Sequence, residues 1–216
     1  MPGLDDAARV SAFGGKWPGK ETLVRRTPTL AEREAFRTAL QMQYEARVAA
    51  LGKSVAEGRI STKQWQSAME KATTQHLIRQ QVIGAGTTRI GADAFLRLDR
   101  EVRRQQAFIS RFADTIVERV TAAKPMSAAQ VSRRATSYSG AGRAIGIRAQ
   151  ERDAEAGELW RYIAVDDAGT CGPCLNAEGE YEAGEGPFPG EVCLGAGNCR
   201  CTRELVDQPN RLKRTA

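Results

Sequence analysis

Phe95-Leu-Arg-Leu98-Asp-Arg-Glu-Val102-Arg-Arg-Gln105-Gln-Ala-Phe-Ile109-Ser-Arg-Phe112-Ala-Asp-Thr-Ile116-Val-Glu-Arg-Val120 sets the class of this chain. Its apolar residues Phe95, Leu98, Val102, Ile109, Phe112, Ile116 and Val120 recur at three and four positions, interrupted only at Gln105. That is the pattern of a helix laid lengthwise on another helix. Working outward, Thr29-Leu-Ala-Glu32 and Ser61-Thr-Lys-Gln64 are capping boxes, each of which satisfies backbone N–H groups at a helix start. Behind the first, Phe36, Leu40, Tyr44, Val48 and Leu51 predict an amphipathic helix ending near Gly52 or Gly58. Behind the second, Trp65, Met69, Ala72, His76 and Ile83 share a face until residues 84–91 break it. Lys124-Pro125 stops the long helix, and Ser127-Ala-Ala-Gln130 caps a fourth.

On that fourth helix Val131, Ala135, Tyr138, Gly142, Ile145 and Ala149 share one face, while Arg133, Arg134 and Arg148 occupy the other. Gly140, Gly142 and Gly146 each weaken a helix by roughly 1 kcal/mol relative to alanine, so they imply a close backbone approach or a kink. The arginine face is either solvated or in contact with phosphates of nucleic acid.

All five cysteines fall in one window: Cys171-Gly-Pro-Cys174, then Cys193, then Asn198-Cys199-Arg200-Cys201. A Cys-x-x-Cys turn sets two sulfurs at adjacent corners of a tetrahedron, and a later Cys-rich turn can supply the other two. Trp160-Arg-Tyr-Ile-Ala-Val165 reads as a strand delivering the chain into this turn. Zinc is therefore the expected cofactor, held by four of the five thiols: Cys171, Cys174 and Cys193, with Cys199 or Cys201 as the fourth. The rivals are disulfides or a redox dithiol. A redox pair should open a helix in a βαβ pattern, whereas Leu-Asn-Ala-Glu-Gly and a hairpin are expected here. His76, on the apolar stripe of the second helix, reads as a core or edge histidine rather than a ligand.

The expected fold is mainly α, an elongated helical bundle or set of helical hairpins followed by a small β-containing Cys-rich zinc module. Residues 1–27, rich in Gly, Pro and charge, read as a flexible arm. Residues 28–155 read as a helical domain of about four helices, residues 156–206 as the zinc module and residues 207–216 as a basic tail.

Apolar residues make up 41% of the 216, but aromatics only 6%, which points to thin, extended packing. No apolar run approaches the ~20 residues of a membrane span. Met1-Pro-Gly-Leu-Asp-Asp lacks the basic and apolar regions of a secretory signal, so a cytosolic start is expected. In that compartment thiols at this spacing bind metal more often than they pair. The net charge of +6 is unevenly spread. Residues 123–150 hold Lys124, Arg133, Arg134, Arg143 and Arg148 and no acid, whereas residues 153–191 hold ten acids against Arg161.

Catalytic motifs are lacking. Gly14-Gly-Lys-Trp-Pro-Gly19-Lys20 falls one residue short of a P-loop, with Glu21 where a magnesium-binding Ser or Thr is needed. Gly84-Ala-Gly86 has Arg89 where a dinucleotide fingerprint needs its third glycine. With one histidine, no His-Glu-x-x-His and no Gly-x-Ser-x-Gly, neither an enzyme nor a small-molecule substrate is expected.

The order of several features resembles a known protein type. Gly58-Arg-Ile-Ser61 leads to Gln64-Trp65. Then come Gln105-Gln-Ala-Phe108-Ile-Ser-Arg-Phe112-Ala, Ser132-Arg-Arg-Ala135-Thr-Ser-Tyr138, Trp160, the Cys171-Gly-Pro-Cys174 turn, Pro187-Phe-Pro-Gly190, Cys193 and Asn198-Cys-Arg-Cys201. Over roughly residues 55–205 this resembles the minor head proteins of tailed bacteriophages, the head morphogenesis family that includes the Mu F-like proteins. Many members carry a histidine before the final Asn-Cys-x-Cys, where this chain has Ala196, and Cys193 three residues earlier fits as the substituting ligand. The resemblance implies a non-enzymatic virion component, made in the bacterial cytoplasm and built into the capsid interior or portal vertex during head assembly. Its implied partners are the portal, major capsid or scaffold proteins, with non-specific contact to packaged DNA through Arg133, Arg134 and Arg148. The alternative is a nucleic-acid-binding zinc ribbon, whose metal module should be basic where this one is acidic.

Overall fold

The computed structural model describes residues 28–87, 89–152, 157–165, 170–194, 199 and 201–206. The expected arm over residues 1–27 with its near-P-loop, the tail over residues 207–216, and Ala196, Asn198 and Arg200 lie outside the described residues. The chain is mainly helical with a small sheet: α1 Leu30–Ala56, α2 Thr62–Gly84, α3 Ala92–Thr121, α4 Ala128–Thr136, α5 Ser139–Glu151, β1 Leu159–Ile163, α6 Gly172–Asn176, β2 Gly179–Glu182 and β3 Thr202–Leu205.

The three capping boxes read from sequence all form. Thr29 with Glu32, Ser61 with Gln64 and Ser127 with Gln130 exchange side-chain and backbone bonds at the starts of α1, α2 and α4. Gly58, at a φ of 69°, turns the chain after α1 in a left-handed conformation that glycine adopts without steric cost. The 30-residue α3 is about 45 Å long.

Helix α2 is the middle of the body, packed against α1, α3 and α5, while α4 lies on α1. The main core joins Tyr44, Val48 and Val55 of α1, Trp65 and Met69 of α2, Ile109, Phe112 and Ile116 of α3, and Val131 and Ala135 of α4. A smaller cluster of Leu77, Leu98 and Ala141 continues it along α2, α3 and α5. Gln105, the polar break in the α3 stripe, is fully buried and donates to Glu101 at 2.7 Å. Val120, at the end of the stripe, is 61% exposed, because the body ends before α3 does.

The expected fourth helix is two helices. It stops at Thr136 and restarts at Ser139. The side chains of Thr136 and Ser137 accept no cap but donate to the carbonyls of Arg133 and Arg134, giving the backbone a local alternative to the helix ladder. The turn drives Tyr138 into the core, where its hydroxyl donates to the Phe108 carbonyl.

The glycines of α5 mark a close approach to α2. A Cβ on Gly142 would lie 2.2 Å from Nε2 of His76, and one on Gly84 would lie 2.2 Å from the carbonyl oxygen of Gly146. At Gly84 the obstacle is backbone, which no rotamer change can clear. Gly84→Ala should therefore cost about 3 kcal/mol, at the upper end for an overpacked core, read as a lower urea midpoint with unchanged m-value.

Candidate metal centre

Antiparallel pairing on both sides of β1 gives the strand order β2-β1-β3. Alternation along β1 turns Trp160 and Tyr162 inward and leaves Arg161 outside, bound to Glu180 at 2.6 Å. Tyr162 stands beneath the cysteines, in a cluster with Ala164, Cys174, Ala177, Cys199 and Cys201.

Cys171 sits at the N-cap of α6 with Pro173 in the first turn, so the Cys-x-x-Cys does open a helix, contrary to the sequence expectation. That helix has five residues and leads into β2 of an antiparallel sheet. The setting is therefore not the βαβ unit of a thioredoxin-like redox pair.

All five thiols are free and converge. The Sγ atoms of Cys171, Cys174 and Cys193 lie within 4.8 Å of one another, and so do those of Cys174, Cys199 and Cys201. The two trios share Cys174. Cys171 and Cys193 are 3.9 Å apart, as are Cys174 and Cys199. Four sulfurs at Zn–S distances of about 2.3 Å stand about 3.8 Å apart at the corners of a tetrahedron; the two 3.9 Å separations match single edges of it, and the thiols within 4.8 Å of one another form two trios rather than one set of four. The cluster could thus hold a metal.

Hydrogen bonds favour the thiolate at Cys171 and Cys201, whereas burial favours the thiol at Cys174 and Cys199. The Cys171 thiol is held down to about 7 by the N–H groups of Leu194 and Cys174. Burial pushes Cys199 up to about 11, partly offset by the N–H of Cys201. Burial also raises Cys174, the most enclosed of the five, against a bond from the Tyr162 hydroxyl at 3.6 Å. For Cys201, burial is outweighed by bonds from the Val165 N–H, Tyr162, Cys174 and Cys199, and its pKa falls.

Tyr162 was not singled out in the sequence. The period-2 pattern that places Trp160 inward also places Tyr162 inward, two residues on. Arg203 is a second such residue. It pairs with Glu151 of α5 at 2.8 Å, both side chains essentially inaccessible, and donates to the carbonyls of Glu185 and Pro187. Its guanidinium lies 4.7 Å from the Phe188 ring centre, and Glu151 accepts from the Gly184 N–H at 3.1 Å. Arg203 thus ties the cysteine module to the helical body.

The three arginines expected on one face are not brought together. Arg133 and Arg134 are exposed on α4, with Arg134 over the rings of Phe112 and Tyr138. Arg148 lies on α5, bonded to Glu191 and stacked on Phe188 at 4.5 Å. The break between α4 and α5 separates them.

His76 lies in the helical body, stacked on Tyr44 with ring centres 4.2 Å apart, and belongs to neither thiol trio. Burial depresses its pKa to about 3, a backbone bond with Ser139 offsetting little. Between about pH 3 and its unfolded pKa of about 6.5, the unfolded chain binds a proton that the folded chain refuses. Stability from this group is therefore complete above that window and lost on acidification through it. Urea unfolding should weaken by up to about 1.4 kcal/mol per pH unit between pH 6 and 4.5, and His76→Gln should flatten that slope.

No helix of the described residues is long and apolar enough to cross a membrane. Comparison of the chain with models of protein families, with curated proteins and with solved structures finds no match.

Proposed function

We propose that this chain is a structural part of a tailed-phage head, a minor capsid or head-morphogenesis protein acting in head assembly at the portal or inner shell. In this reading its C-terminal module is stapled by zinc. The observation that carries the proposal is the convergence of all five cysteines on one cluster in a small sheet locked to a helical body. The order of motifs along the chain supplies the family. Cys171, Cys174 and Cys193 are the first three ligands. The fourth is Cys199 or Cys201, both within 4.8 Å of Cys174. Zinc held by four thiolates has no open position, so its role is to hold shape rather than to activate water. The module is acidic, with Glu178, Glu180, Glu182 and Glu185 around the β2 turn, which suits a protein partner better than phosphates.

The test begins with the gene neighbourhood, where portal, coat and scaffold genes are expected, and continues with co-expression of the full chain with those genes and purification of heads. The expected result is a low-copy component of the heads, and malformed or unfilled heads when it is deleted. A chain that stays outside the particles, and whose metal-dependent binding to duplex DNA is lost in Cys174→Ser, would favour the zinc-ribbon alternative.

A further inference from the structure

A cleft of about 380 Å³ opens between α3, α5 and the loop that precedes Cys193. Its volume is at the low end of the range for small-ligand sites. The walls carry four guanidiniums, Arg97, Arg100 and Arg104 from α3 and Arg148 from α5, against two carboxylates, Glu101 and Glu191. Both carboxylates are already engaged: Glu101 with Arg104 at 2.7 Å, and Glu191 with Arg148. Among the described residues, Arg97 and Arg100 have no carboxylate within ion-pair distance. Positions 97, 100 and 104 follow the three- and four-residue spacing of one helix face, so the α3 guanidiniums form a row along one wall. Gly140 and Ala144, one turn apart on α5, line the cleft with almost no side chain.

We propose that this cleft binds consecutive phosphate groups, of a single nucleic-acid strand or of a free polyphosphate. Arginine presents a planar fork of donors that matches phosphate oxygens two at a time, and two unengaged forks on one wall can grip neighbouring phosphates. The like charges are close enough to act on one another. Arg97 is depressed first by burial and then by Arg152 and Arg148, with Asp93 only partly offsetting them. A bound polyanion relieves that repulsion. The small residues of the α5 wall leave room for phosphates to approach the helix, and the cleft is too small to admit a duplex. Arg133 and Arg134, the exposed pair on α4, are not in this cleft. The inference does not rest on the head-protein reading, and binding can be measured whether or not the chain enters heads.

The experiment uses the full zinc-loaded chain with three probes: tripolyphosphate, a fluorescent eight-nucleotide oligothymidylate, and an oligoglutamate peptide of similar charge. Binding of either phosphate probe is expected, and the comparison between them says whether the source is free or strand-borne. Arg97→Ala with Arg100→Ala should weaken phosphate binding at least tenfold, with the melting temperature of the free protein unchanged. Arg97→Lys, which keeps the charge and loses the fork, should fall between. Arg133→Ala with Arg134→Ala should stay within twofold of wild type. Equal losses from the two double variants would mean diffuse attraction and would overturn the proposal. So would tighter binding of oligoglutamate than of either phosphate probe, or no binding at all. Loss of zinc from the Arg97 and Arg100 double variant with phosphate affinity intact would show that these arginines balance the thiolates instead, and would also overturn it.

Discussion

Cys174→Ser is expected to release the metal and unfold the C-terminal module while leaving the helical body folded. Cys174 belongs to both thiol trios, receives the Tyr162 hydroxyl and is 1% exposed, so no other thiol can take its place without moving the loop that carries it. Apart from the Arg203–Glu151 joint, the module has little else to hold it. Its cluster is built from Tyr162, two alanines and the cysteines themselves, with Tyr181 and Val192 at the edge. Burial on that scale cannot offset the conformational entropy of ordering the module, whereas zinc binding contributes on the order of 10 kcal/mol in small thiolate sites. In hydrogen exchange, the amides of β1, β2 and β3 should lose protection in the variant. Those of α1, α2 and α3 should keep theirs, because the core around Trp65 and Ile109 does not include the module. Of Cys199→Ser and Cys201→Ser, the variant that loses the metal identifies the fourth ligand.

The second large effect is expected at the joint. Glu151→Gln leaves Arg203 buried with a full charge and no counter-ion, and removing one partner of a buried ion pair typically costs about 3–5 kcal/mol. The loss should show in two ways: a lower melting temperature, and faster proteolysis between α5 and β1. Replacing both partners, Glu151→Met with Arg203→Met, should recover much of the loss, because no stranded charge remains. The recovery would be incomplete, since Arg203 also donates to the carbonyls of Glu185 and Pro187. The single and double variants together would separate a device that fixes orientation from one that contributes net stability.

The helical body was legible in the sequence because its signals are local. A capping box spans four residues and an apolar stripe a few turns, so Thr29, Ser61 and Ser127 announced their helices, and Trp65, Met69, Ile109 and Phe112 their faces. The split of the fourth helix was not legible from periodicity alone. Val131, Ala135, Tyr138 and Gly142 keep a helical spacing straight through the break at residues 137–138, and it is the Thr136 and Ser137 hydroxyls, bonded back to the carbonyls of Arg133 and Arg134, that mark where the chain turns. At the candidate site the thiols were evident from spacing. The Glu151 and Arg203 pair was not, since the two residues are far apart in the chain and nothing local marks either one. The arginine cleft was hidden for a similar reason. Arg97 and Arg100 look like the solvated side of a long helix until α5 and the Pro189-Gly190 turn are folded beside them.

Everything proposed for the C-terminal module depends on a metal ion among the thiols. The decisive measurement is the zinc content of the full chain purified under reducing conditions, taken together with the number of thiols that react before and after a chelator is added. About one zinc per chain with at most one reactive thiol is expected, and after chelation five reactive thiols and a collapse of the sheet's exchange protection. A folded sheet in a metal-free chain, with all five thiols reactive from the start, would contradict that expectation.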